Sequence, residues 1–172
     1  MGKACELRVI TFFLALTAGA SAHAQTQTPQ RTTATYQDWT VRCEVPATGK
    51  TCEMAQAMQI QGQVQPVTQI ALGQQSKGAP MKIVFQVPIN VWLQTGVKLV
   101  LNEKDPGIVA VYARCLPAAC LADANLKDDQ IKKLRGLTEN GKLQFKDAAQ
   151  QDVVIPVSFK GFDQAYDAMQ KP

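Results

Sequence analysis

The chain of 172 residues contains a single histidine, His23. Everything after it lacks imidazole, which excludes Ser-His-Asp and Cys-His catalysis and every His-ligated metal site there. Serine is scarce as well. Beyond residue 24 only Ser76 and Ser158 remain, and neither opens an S-x-x-K motif. No P-loop and no G-x-G-x-x-G is present. The C-x-x-C of a redox-active pair is absent, and the C-x8-C spacing of Cys43 and Cys52 is too wide for a zinc knuckle. Charged residues make up 19% of the chain, and the formal net charge is +4. The charges are dispersed, so they do not mark a nucleic-acid binder. The one long apolar run, Val9 to Ala20, is shorter than the roughly 20 residues that span a bilayer. No later segment is apolar enough to cross. These absences predict a chain without metal or organic cofactor.

The amino terminus has the three parts of an export signal. Lys3 and Arg8 form a basic region, Val9 to Ala20 the apolar core, and Ser21-Ala22-His23-Ala24 the small-residue site. Cleavage is predicted between Ala24 and Gln25. Residues 1–24 are therefore read as a signal peptide. Residues 25–35 (QTQTPQRTTAT) are read as a flexible leader, because they lack the apolar side chains that offset ordering entropy. Residues 36–172 are read as one domain. Leaving out Lys3, Arg8 and Glu6 lowers the net charge from +4 to +3.

Cys5 leaves with the signal, so four cysteines remain: Cys43, Cys52, Cys115 and Cys120. An even count in an exported chain favours disulfides, with three possible connectivities. The local pairs, Cys43–Cys52 and Cys115–Cys120, are the expected ones. Each would close a short turn between segments already expected to be neighbours. A long-range bridge between the two sheets of a sandwich is the alternative.

Period-two alternation predicts most of the secondary structure. Trp39, Val41 and Cys43 alternate with polar residues, and Cys52, Met54, Met58 and Ile60 continue the pattern with Gln56 breaking the apolar face. Further strands are expected at Val67–Leu72, Met81–Val87, Val97–Leu101, Ile108–Cys115, Leu143–Phe145 and Val153–Phe159. Pro156 argues that the last is an edge or bulged strand. Turn residues punctuate the runs at even spacing, which indicates an all-β sandwich or small barrel. Two short helices complete the reading. One starts at a cap on Asp123 or Asn125, carries Asp128 and Asp129 early and Lys132, Lys133 and Arg135 late, and stops at Gly136. The other is Phe162 to Met169, with Phe162, Ala165, Tyr166 and Met169 on one face.

Other features read more simply as structure than as chemistry. Asp128-Asp129 suits a helix start better than an acid–base dyad. Met54 and Met58 are core filler rather than copper ligands. Trp39 and Trp92 are packing residues rather than ligand platforms. Lys82, Lys98 and Lys104 are expected on solvated faces.

The early D-W-x-V-x-C (Asp38 to Cys43), the C-L-P-A-A-C block (Cys115 to Cys120) and the closing V-S-F-K-G-F-x-x-A-Y (Val157 to Tyr166) occur in that order on an exported chain. Together they resemble the invasion-associated locus B family of Gram-negative bacteria, from about Tyr36 to Met169. The resemblance implies an immunoglobulin-like β-sandwich. It implies no catalytic residues, since none are recognised for the family. It takes its name from a factor that helps a pathogen enter red blood cells. The expected role is a non-enzymatic, disulfide-bonded envelope protein in the periplasm, at the outer membrane or secreted, binding a protein or envelope component in invasion or envelope interactions. The alternative is a carboxylate-based hydrolase of envelope polymers. It requires two of Glu103, Asp105, Asp123, Asp147 and Asp152 together in a cleft, within roughly 5–10 Å.

Overall fold

The computed structural model describes residues 30–46, 49–58, 68–76 and 78–171. The signal-peptide reading, with its cleavage site at Ala24 and Gln25, lies outside the described residues. Ten strands form one continuous antiparallel sheet: β1 Gln30–Tyr36, β2 Trp39–Val45, β3 Thr51–Met58, β4 Thr68–Gly73, β5 Lys82–Val87, β6 Val97–Val100, β7 Ile108–Cys115, β8 Cys120–Asn125, β9 Gly141–Lys146 and β10 Asp152–Val157. Their spatial order is β1-β2-β3-β4-β5-β8-β7-β6-β9-β10.

The sheet curls into two layers through β7. Its first half, Ile108 to Ala110, pairs with β6. Its second half, from Val111, pairs with β8. Between Tyr112 and Arg114 the register shifts, and a bulge of this kind bends a strand so that it can serve both layers. The result is the all-β sandwich expected from the sequence, with two helices: α1 Asp128–Arg135 and α2 Phe162–Gln170.

One core fills the space between the layers. Inward positions alternate along β2, β4, β5, β6 and β9, as period-two patterning requires. Val41, Met54, Leu72, Ile83 and Phe85 come from the larger layer and Val97, Leu99, Leu143, Ile155 and Val157 from the smaller, all in one buried cluster. Helix α2 packs on β1, β2 and β3 and buries Phe162, Ala165 and Met169. Met54 and Met58 are buried in this core, as is Trp39, while Trp92 is only half-buried.

Three sequence expectations need correction. Residues 30–35, assigned to a flexible leader, form β1 and pair with β2 throughout. An exposed edge strand draws its stability from a backbone ladder and threonine propensity, so it shows no apolar face in the sequence. Cys120–Asn125 is a strand, β8, between β5 and β7. Asp123 and Asn125 lie in it and cap no helix. Helix α1 instead starts after Lys127, whose backbone N–H donates to the Gln130 side chain at 2.9 Å. Its charge order and its stop at Gly136 are as read.

Candidate functional site

Two disulfides clamp two hairpins. Cys43–Cys52 bridges β2 and β3, and Cys115–Cys120 bridges β7 and β8. In each case the bonded residues are direct cross-strand partners. The registers place the two clamps at opposite ends of the larger layer. Cys52 lies next to the row Glu53–Gly73–Lys82–Asn125, whereas Cys120 pairs with Val87 at the far end. The LPAA turn between Cys115 and Cys120 leaves Leu116 exposed.

The two other motifs of the resemblance meet in space, although about 120 residues separate them in the chain (|i−j| of 120 for Asp38 and Ser158). Trp39 Nε1 donates to the Ser158 carbonyl at 2.9 Å. Gln56, which is 5% exposed, donates from Nε2 to the same carbonyl at 2.9 Å and accepts the Ser158 N–H at 3.0 Å. The Ser158 hydroxyl donates to the Asp38 carboxylate. Phe162 then stands edge-on to Trp39, with ring centroids 5.0 Å apart. Gly161 makes the tightest contact. At φ 81° it lies so close to the Tyr36 carbonyl that a Cβ there would come within 2.1 Å of the oxygen. These residues fasten the end of β10 and the start of α2 to the β1–β2 turn. They close the curled sheet. Helix α1 is tied to α2 through Arg135, which pairs with Asp163 and Asp167 and sits 5.0 Å from the Tyr166 ring.

Of the carboxylates required for hydrolysis, Asp147 and Asp152 are neighbours across the β9–β10 hairpin, and three of the five are held in ion pairs. Asp123 pairs with Lys82 at 2.8 Å, Asp105 with Lys133 at 2.9 Å, and Asp152 with Lys146 at 2.7 Å. The Lys133 bond and the Gly107 N–H hold the Asp105 carboxyl below the usual carboxylate range. Asp147 accepts the Gln151 N–H in a turn, and Glu103 lies on an exposed loop. Lys82, Lys98 and Lys104 are on separate elements, namely β5, β6 and the loop after β6. Among the described residues no group of three or more His, Cys, Asp or Glu could hold a metal ion. No helix there is long and apolar enough to cross a membrane.

The outer face of the larger layer carries a solvent-open groove of about 470 Å³ across β2, β3, β4 and β5. Its floor is low because Gly73 stands between Glu53 and Lys82, and Ala71 beside it is flanked only by Ala55 and Val84. Arg42, Glu44, Glu53 and Lys82 rise around it. Arg42 and Glu53 face each other across β2 and β3, 3.9 Å apart. None of Glu103, Asp105, Asp123, Asp147 and Asp152 lines it, though Asp123 meets its rim through Lys82. Sequence reasoning did not single out Arg42, Glu44 or Glu53, because polar outward positions on alternating strands look alike in sequence. Gln56 did carry a signal, as a polar residue on an otherwise apolar strand face.

These features define a small disulfide-clamped β-sandwich closed by a tryptophan–glutamine–serine lock, with an open groove rimmed by charged side chains on its outer face. The chain belongs to the invasion associated locus B (IalB) family, whose pattern matches residues 39–170. It is 29% identical over 136 residues to the invasion protein B homologs of two Brucella abortus strains, 2308 and 9-941 of biovar 1; the match covers 79% of this chain and 78% of each relative. Its fold is similar to the crystal structure of invasion associated protein b from Bartonella henselae, with a TM-score of 0.70 at 20% identity, covering 80% of this chain and 94% of that one.

Proposed function

We propose that this chain is an exported, non-enzymatic binding protein of the bacterial envelope, acting in invasion or envelope interactions. The observation that carries the reading is the groove over β2–β5. It is open to solvent, bears both signs of charge and rests on a framework held by disulfides. A rigid sheet face of this kind offers fixed positions for contacts, and both disulfides suit an oxidising compartment. The basic and apolar start of the chain supports export with cleavage after Ala24, and the periplasm is the proposed compartment.

Cross-linking and pull-down from an envelope fraction, using chain recovered from the periplasm, test this. Arg42→Glu reverses a groove charge and Ala71→Arg fills the floor. Each should reduce capture of the partner at least about tenfold, as expected for a central contact. Lys98→Glu, on the other layer, should not. Equal capture by all variants, or turnover of an envelope polymer by the parent, would overturn the proposal. The amino terminus of the same material should read Gln25; a start at Met1 would remove the export step.

A further inference from the structure

We infer that β1 is a self-pairing edge through which two copies of this chain join their sheets in antiparallel register. The two ends of the ten-stranded sheet differ in how they treat their free edges. At the β10 end, Pro156 stands within the strand, and a proline on an edge disfavours further pairing because it offers no N–H. At the other end β1 reads QRTTATY, with neither proline nor lysine and with no bulge in its seven-residue register against β2. Residues 31–35 are exposed. Among the described residues no strand pairs with this edge.

The backbone direction follows from the hairpin. Gln37 and Asp38 form a two-residue turn with Gln37 at φ 54°. Such a turn makes its flanking residues, Tyr36 and Trp39, a hydrogen-bonded pair. Alternation then directs the backbone groups of Ala34 and Thr32 toward β2 and turns those of Arg31, Thr33 and Thr35 outward. A strand added here must match those three residues.

A second copy of β1 matches them all. With Thr33 opposite Thr33 on a two-fold axis, Arg31 faces Thr35 of the second copy and Thr35 faces its Arg31. Every outward N–H and C=O is then paired. No like charges stand opposite each other, because the only charged residue of β1 is Arg31, already paired to Glu44 at 2.9 Å. The inward-facing pairs are Thr32 opposite Ala34, small enough for close approach. The contact is smaller than a standard interface, so the expected dissociation constant is in the range of about 10 µM to 1 mM.

Sedimentation velocity on the purified exported chain, over about 5–500 µM, should show a reversible monomer–dimer equilibrium in that range. Thr33→Pro removes the outward N–H at the axis while sparing the β2 ladder, and should weaken association at least about tenfold. A mixture of the Thr32→Cys and Ala34→Cys variants should cross-link on mild oxidation, since this non-hydrogen-bonded pair brings the Cβ atoms within disulfide reach. Neither variant alone should do so. A parent that stays monomeric, a dimer that T33P leaves unchanged, or cross-linking by T32C alone would each overturn the inference. A monomer whose β1 amides are protected only by a co-purified peptide would assign the edge to a foreign strand instead.

Discussion

Substitution of Gly161 by alanine tests the closing lock at its tightest point. The residue has φ 81°, which costs a non-glycine residue about 1 kcal/mol. A Cβ would also sit 2.1 Å from the Tyr36 carbonyl oxygen and 2.7 Å from its carbon. Both are backbone atoms of the β1–β2 hairpin, so no side chain can swing aside. Relief requires the start of α2 to move away from the hairpin. That motion loosens Phe162 from Trp39 and forfeits part of the burial of a fully enclosed phenylalanine, whose complete loss costs about 3–5 kcal/mol. Together these give an expected loss of about 2–4 kcal/mol for Gly161→Ala. Gly78→Ala is the matched control. Its φ is 84°, but nothing stands within 4 Å of the new methyl, so only the conformational cost of about 1 kcal/mol applies. Urea denaturation under non-reducing conditions gives both values. For a domain of this size the extra loss should lower the melting temperature by about 2–4 °C per kcal/mol. If the two variants fall within about 0.5 kcal/mol of each other, the lock is not a structural constraint and the argument fails.

Gln56→Leu should cost about 2–4 kcal/mol, because it strips partners from the Ser158 N–H and carbonyl in a buried setting; denaturation near wild type would show that Trp39 alone suffices. Replacing Cys115 and Cys120 together by alanine should cost about 2 kcal/mol through loop entropy, read from the urea midpoint under non-reducing conditions, and an unchanged midpoint would contradict the clamp. Burial pushes the Tyr112 phenol up to about 12 from 10.0, so its contribution to stability is full below pH 10 and is lost as the pH rises through 12. Tyr112→Phe should therefore flatten the alkaline loss of stability between those limits, and an identical pH profile in the variant would refute the assignment.

What could be read from sequence divides along physical lines. Strands buried on one face announce themselves, as Ile83, Phe85 and Val87 do against Lys82, Val84 and Gln86. Edge strand β1 lacks that alternation in burial, and the backbone ladder that holds it leaves no trace in composition. Strand β8 was obscured because its inward residues after Cys120 are alanines, Ala122 and Ala124, which read equally well as helix. Pro156 was informative because it removes an N–H, and β10 is indeed an edge. The groove was invisible for a different reason. It depends on which small residues lie side by side across four strands, and that is a property of register rather than of any one segment.

The motifs that carry the family resemblance are largely occupied with one another. Asp38 and Trp39 spend their polar groups on Ser158, and Gly161 and Phe162 pack on the same hairpin. Such residues hold the sandwich closed. A change there propagates to stability, because each polar group of the lock is satisfied by another member of it. The outward positions have the opposite character. Arg42, Glu53 and Lys82 hold no part of the core together, and their substitution leaves every inward contact in place. A partner that docks in the groove would therefore meet side chains that hold no part of the core. A loss of binding in an Asp38, Trp39 or Ser158 variant would accordingly be expected only together with a loss of stability, whereas an Arg42 variant separates the two.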